Sequence, residues 1–151
     1  MERVLTVWRE AWAWPENEEK LYRSLLKGYK PVLHLFCGKS TLGDVRVDRI
    51  PYPNVTHTIE VKVDTRLPFK DGEFDATIFD PPWINQYMLW TAKEVPRVTR
   101  RRIIAVTGHF WWEPAKPHRH SWKLSKILVL KQVSPATKLC FIYDRKTRRL
   151  T

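Results

Sequence analysis

Cysteine is nearly missing from this 151-residue chain. Cys37 and Cys140 are the only two, too few for a disulfide framework. Each lies within or beside an apolar run, VLHLFC and KLCFIY, where a free thiol is expected to pack as a small apolar group. No C-x-x-C pair occurs, and His109, His118 and His120 have no cysteine or regularly spaced acid beside them, so no metal site is expected. Acids are scarce as well, 16 against 27 Lys and Arg, for a formal charge of +11. Such an imbalance speaks of partners rather than fold, and nucleic acid suits it better than an acidic protein does. No apolar run reaches the length of a membrane span. The opening MERVLTVWREAWAWP carries acids and lacks a signal-peptide core, so a cytoplasmic, intracellular location is expected. Internal repeats and low-complexity linkers are missing too.

What is present is enough for a packed globule. Hydrophobic residues make up 43% of the chain, which excludes a disordered one. A single domain over 1–151 is expected, with an N-terminal arm and helix in 1–30 and a sheet in 31–151. The arm is rich in tryptophan (Trp8, Trp12, Trp14) and reads as a short strand, an arm or a docking segment. Pro15 followed by Glu16, Glu18 and Glu19 predicts a helix start, with acids at the positive end of the dipole. Leu21, Tyr22, Leu25, Leu26 and Tyr29 give that helix an apolar face, and Gly28 and Pro31 close it.

Strands are predicted at Val32–Phe36, Val45–Asp48, Thr58–Asp64, Ala76–Phe79, Arg102–Thr107, Ile127–Leu130 and Leu139–Tyr143. The last two, separated by a turn at Pro135, suggest an antiparallel pair at a sheet edge. Ile84, Tyr87, Met88, Thr91, Ala92 and Val95 recur at helical spacing, with a stop or kink near Pro96. The nearly continuous apolar strands suit a mostly parallel α/β sheet covered on both faces. In such sheets ligands bind beyond the carboxyl ends of the strands. That rule gathers the loop at Cys37, Asp48, Asp64 and Asp80 along one edge.

The stretch FDPPWINQYMLW carries the chemistry. Two adjacent prolines cannot continue a strand or enter a helix interior, so Asp80-Pro81-Pro82-Trp83 must form a stiff corner after the Ala76–Phe79 strand. Asp80 offers a carboxylate acceptor, Pro81 a carbonyl with no N–H, and Trp83 a face for stacking. Bland readings stand beside these: Asp80 or Asn85 as a helix cap, Trp83 and Cys37 as packing residues, Asp48 and Asp64 as turn acids.

This corner resembles the catalytic signature of class I S-adenosylmethionine-dependent methyltransferases, in particular those that modify adenine N6 or cytosine N4. The resemblance covers roughly Val32 to Tyr143. It implies that His34-Leu35-Phe36-Cys37-Gly38 is the cofactor strand and loop, with Phe36, Cys37, Gly38 and Ser40 near the methionine end. It likewise implies Asp48 for the ribose, Asp64 near the adenine ring, and Asp80 at both cofactor and target. The implied fold is a minimal Rossmann-like methyltransferase sheet. One departure is plain: Lys39-Ser40-Thr41-Leu42-Gly43 runs almost directly into the second strand, so the first crossover helix is missing. The chain is also too short for a separate target-recognition domain, which leaves that role to a homodimer or a partner subunit.

The implied activity is methyl transfer from S-adenosylmethionine to an exocyclic amino nitrogen, with adenine N6 in DNA the first expectation. An RNA base amino-methyltransferase and a non-catalytic nucleic-acid binder of the same fold are the alternatives. Arg97, Arg100, Arg101 and Arg102 form one basic cluster. Lys116, His118, Arg119, His120 and Lys123 form another, beside Phe110, Trp111 and Trp112. Basic side chains for phosphates with aromatics for bases fit a nucleic-acid surface. Lys146, Arg148 and Arg149 read as a solvated end.

Overall fold

The computed structural model of the chain describes residues 3–6, 14–108, 110–132 and 137–147. The readings made on Trp8, Trp12, His109, Pro135, Arg148 and Arg149 lie outside them. The described strands are β1 (Arg3–Thr6), β2 (Val32–Leu35), β3 (Val45–Asp48), β4 (His57–Thr58), β5 (Phe74–Phe79), β6 (Thr99–Thr107), β7 (Trp122–Gln132) and β8 (Thr137–Arg145). The helices are α1 (Glu16–Leu25), α2 (Asn85–Val98) and the short α3 (Lys116–Arg119). All eight strands share one sheet in the order β1-β7-β8-β6-β5-β2-β3-β4. β8 runs antiparallel to β6 and β7, and the other ladders are parallel.

Alternation along the strands sorts the core into two halves. Leu33, Leu35, Phe79, Ile103, Ala105 and Phe141 point to the face covered by α2. Val32, Ile78, Ile104, Val106, Cys140 and Ile142 point to the face where Tyr22 of α1 and Leu26, its C-cap, pack. β5 is buried along its whole length, as its apolar run requires. Pro96 lies inside α2, in its last turn, and Thr99 then leads directly into β6.

Two sequence expectations are corrected. The strand expected over Thr58–Asp64 is confined to His57–Thr58. Its neighbour β3 ends at Asp48, opposite Thr58, so the chain beyond Ile59 has no ladder to join and turns at Lys62–Thr65. The antiparallel pair exists but is not at the edge, because β1 lies on the far side of β7 in parallel register.

The first crossover helix is missing, as expected. A parallel connection ordinarily takes a dozen or more residues and a helix. Here residues 36–44 fold back over β2 itself. Leu42 is buried with the α1-side core, the Asp44 N–H donates to the Val32 carbonyl at 2.8 Å, and Asp44 Oδ2 accepts from the Val32 N–H at 2.7 Å. Gly43 makes this return possible. Its φ is +99°, and a Cβ there would stand 3.1 Å from the His34 Cβ and 3.4 Å from the Val32 carbonyl oxygen.

Gly43→Ala is therefore expected to cost about 2 kcal/mol or more, from left-handed backbone and the lost clearance over β2. Urea midpoints of the two proteins check this, and an unchanged midpoint counts against the folded-back connection.

Candidate active site

The sheet's order reverses between β2 and β5: the chain winds outward through β3 and β4, then returns to β5 and continues the other way to β6. A crevice opens at such a switch point, beyond the carboxyl ends of the two strands. Phe36 to Gly38 follow β2 there, and Asp80 follows β5. A cleft of about 370 Å³ occupies this position, with Asp48, Ile50, Tyr52, Glu60, Asp80 and Tyr87 among its walls.

Asp48 closes β3 and fixes the loop. Its Oδ2 accepts the Gly38 N–H at 2.8 Å and its Oδ1 accepts the Ile50 N–H at 3.0 Å. Each oxygen keeps a second lone pair for a hydroxyl in the cleft. Phe36 has a φ of +56°, which turns the chain out of β2 and sends its ring against Tyr87 and Trp90. Cys37 is buried, and burial pushes its thiol up to about 12, so it is a packing residue. Ser40 is buried with its hydroxyl accepting from the Leu42 N–H at 3.1 Å. Asn54 Nδ2 donates to the Gly38 and Ser40 carbonyls and holds the loop from outside.

Asp64 does not line the cleft. The chain leaves the sheet after His57–Thr58, which puts Glu60 at the wall instead. Sequence reading missed Glu60 because it placed the strand's end at Asp64, six residues beyond Thr58. It also passed over Arg49, which lines the cleft, and Lys39, whose ammonium stands 5.5 Å from the centre of the Tyr52 ring.

At the corner, α2 begins at Asn85 with Ile84 as its cap and no side-chain cap bond. Asp80 and Asn85 are thus not helix caps. Asp80 instead collects three donors. Trp83 Nε1 donates to Oδ1 at 3.2 Å, Trp14 Nε1 donates to Oδ2 at 2.9 Å, and the Lys138 ammonium lies 3.4 Å from Oδ2. Trp83 is 41% exposed, and its ring rests against Gly108, where a Cβ would come within 2.8 Å. Lys138 reaches over the end of β6 from β8 and also meets Glu18 of α1 at 3.1 Å. Glu18 stands in the first turn of α1, where the sequence placed it, but it has no solvent exposure.

His34 lies beside this group on the α1 face. Its Nδ1 is 2.9 Å from the Leu42 carbonyl oxygen, which can only accept, so Nδ1 carries the proton. Nε2 is then a buried lone pair without a partner among the described residues. Burial lowers the imidazole to about 4 from its ordinary 6.5.

The basic residues fall elsewhere. β5 and β6 run parallel, so Thr99 and its neighbours stand at the edge opposite Asp80, and the antiparallel β8 brings Arg145 to that same edge. Arg97 is a structural residue: it pairs with Glu94 and Asp71, which raise its pKa, and donates to the Leu67 and Phe69 carbonyls. Arg100 and Arg101 share the buried carboxylate of Asp75, and Arg102 pairs with Asp144. Lys116 and Arg119 lie on α3, with Arg119 paired to Glu113, and Lys123 is the second residue of β7, at the same opposite edge. This second cluster does not flank the corner, because the chain passes to α3 along the α2 side, where the Ala115 N–H donates to the Ala92 carbonyl. Trp112 is 2% exposed and packs among Phe79 and Tyr143, so it is core. Trp111 is exposed, with its edge against Phe141. A depression of about 750 Å³ at the basic edge is bordered by Arg97, Arg100, His118, His120, Arg145 and Lys146.

No three His, Cys, Asp or Glu side chains converge as a metal site requires, among the described residues. No helix among them is long and apolar enough to cross a membrane.

No protein-family model matches the chain, and no curated protein sequence matches it significantly. Solved structures do. The PH0226 protein of Pyrococcus horikoshii OT3 superposes with a TM-score of 0.55 at 16% identity, covering 85% of this chain and 87% of that one. TrmN from Thermus thermophilus gives 0.54 at 15% identity over 84% of this chain, which spans 48% of TrmN. A Thermotoga maritima protein described as a SAM-dependent methyltransferase, possible histamine N-methyltransferase, gives 0.50 at 12% identity, over 86% of this chain and 88% of its own. These likenesses, with the strand order and its switch point, define the fold: that of a class I S-adenosylmethionine-dependent methyltransferase.

Two outcomes follow from the buried groups. Lys138→Ala removes an ammonium from beside the fully buried Glu18 and from Asp80, and is expected to cost about 3 kcal/mol. Arg101→Ala, at a side chain 56% exposed, is expected to cost less than about 1 kcal/mol. Chemical denaturation ranks the pair. For His34, the folded state binds the proton less readily than the unfolded state. Its contribution to stability is complete above about pH 6.5 and is lost as pH falls toward 4, by up to about 3 kcal/mol. Denaturation at a series of pH values reads that slope, and His34→Leu flattens it.

Proposed function

We infer that the chain transfers a methyl group from S-adenosylmethionine to an exocyclic amino nitrogen of a nucleic-acid base. The observation that carries this is the position of Asp80, on a proline-stiffened corner at the switch point, in the wall of the same cleft as Asp48 and Glu60.

The residues fit the nucleoside half of the cofactor. Asp48 and Glu60 are acceptors for ribose hydroxyls or an adenine amino group, and Ile50 and Tyr52 offer apolar walls for the ring. The methionine half departs from expectation. The N–H groups of Cys37, Gly38 and Ser40 are used within the loop, by the Val47 carbonyl, Asp48 and the Cys37 carbonyl. A carboxylate there would depend on a side-chain cation: Arg49 lines the cleft, and the Lys39 ammonium lies over the ring of Tyr52 in its wall. The bound cofactor supplies an already activated methyl on a sulfonium.

An exocyclic amino nitrogen is a poor nucleophile, because its lone pair is delocalised into the ring. Asp80 accepts one of its hydrogens and the Pro81 carbonyl the other, which favours a tetrahedral nitrogen with its lone pair free. Two prolines keep these acceptors placed at little entropic cost. Trp83 supplies a stacking face, worth about 1–3 kcal/mol per base.

Single-stranded RNA bases suit this corner better than adenine N6 in duplex DNA. Trp83 and Trp111 are both exposed near Gly108, and unpaired bases splay onto such aromatic faces without first being flipped from a duplex. The non-catalytic reading draws on the internally satisfied loop and on the donors already held by Asp80.

Transfer of labelled methyl from S-adenosylmethionine to RNA and DNA, followed by nucleoside analysis, tests the proposal. Label is expected in an N-methylated adenine or cytosine, from RNA above DNA. Asp80→Ala should lower it by about 10²-fold or more. Asp48→Ala should weaken cofactor binding by about tenfold or more, the worth of a hydrogen bond to a charged group. Cofactor binding without any nucleoside label, on RNA or DNA, overturns the substrate; no cofactor binding overturns the enzyme.

A further inference from the structure

We propose that Trp14 is a built-in occupant of the subsite that receives the ring to be methylated, and that His34, Tyr22, Lys138 and Asp80 form that subsite. The proposal rests on the methyl-transfer reading and names the shape of its target: a planar ring with an N–H donor at its edge.

Strand alternation places Ile78, His34 and Cys140 on the α1 face, and by the same parity Asp80 and Lys138. Trp14 enters this compartment from the residue pair before α1. Its ring stacks on His34 with centroids 4.8 Å apart and planes 13° apart, and meets Tyr22 edge-on at 4.4 Å. Its indole N–H lies 2.9 Å from Asp80 Oδ2. A flat heteroaromatic thus already sits on the catalytic acceptor, donating the kind of hydrogen bond the target amino group needs.

The arithmetic of acceptors makes the two compete. A carboxylate has about four lone-pair sites. Trp14, Lys138 and Trp83 use three of those on Asp80. The Trp14 ring also fills the space against His34. A target ring can reach Asp80 from the α1 side only when Trp14 leaves. Leaving does not require α1 to unwind: Pro15 is extended, at φ −56° and ψ 153°, and the helix begins after it. Trp14 is only partly buried.

The test is binding of adenosine and of cytidine to the full chain, followed by the indole N–H cross-peaks in 15N-labelled protein. The Trp14 peak is identified by its loss in Trp14→Phe. One of the nucleosides is expected to shift that peak, and Trp14→Ala is expected to bind it about tenfold more tightly than the parent. Trp14→Phe, which keeps a ring but no donor, should fall between them and serves as the deciding variant should Trp14→Ala not fold. A Trp14 peak that neither nucleoside moves, or variants that bind no more tightly, overturn the proposal. S-adenosylhomocysteine binding, measured on the same proteins, reports separately on the cofactor cleft. Its failure alongside a displaced Trp14 would sink the methyl-transfer reading and leave the ring subsite standing. Its success with an unmoved Trp14 would do the reverse.

Discussion

A single ammonium, that of Lys138, holds the architecture of the site. It lies between Glu18, near the start of the chain, and Asp80, just past its middle, and itself comes from the last described strand. Apolar burial of Tyr22 and Leu26 draws α1 onto the sheet, but burial is not directional and leaves the helix free to slide. A carboxylate with no solvent exposure is not free in that way. It must meet its cation within a few tenths of an ångström or bear several kcal/mol of desolvation. The ion pair therefore fixes where α1 sits, and α1 fixes where Trp14 enters. The same cation keeps a second carboxylate beside it, so the candidate catalytic acid and the helix position share one electrostatic constraint.

The folded-back segment 36–44 is the other constraint. Without a helix to cover β2 on the α1 face, Leu42 fills part of that space and Gly43 passes over His34 with no side chain to spare. The backbone that makes this return also takes up the loop's N–H groups, through Val47, Asp48 and the Cys37 carbonyl. Shortening the crossover and emptying the loop of free amides are one event. The candidate cofactor cleft inherits the consequence: recognition shifts from backbone donors toward carboxylates and cations on its walls.

What the sequence made legible was local and periodic. The continuous apolar run ending at Phe79 marked a strand buried on both faces, and Pro81-Pro82 marked its end. The short spacing from Gly38 to Val45 showed that no helix intervened. Glu60 and Asp64 could not be told apart, because the end of β4 depends on where β3 stops, and that is a fact about a neighbour. Glu18, Lys138 and Trp14 were read as an ordinary dipole acid, an unremarked lysine and an arm residue. Their roles come from contacts across 58 to 120 positions of sequence, which no local pattern carries. Trp112 and Arg97 failed for the same reason in the other direction. A tryptophan beside basic residues and an arginine in a basic run look like nucleic-acid contacts until tertiary structure buries one and pairs the other.

The charge of the chain is therefore arranged differently from the way its sequence suggests. At the corner, Lys138 meets two carboxylates, and the neighbouring cleft holds Asp48 and Glu60 against Arg49. At the amino edge of the sheet, Arg100 and Arg101 share one acid, and Arg145, Lys146 and Lys123 crowd the same side. Salt-dependent attraction for a polyanion accordingly concentrates a full strand length away from Asp80.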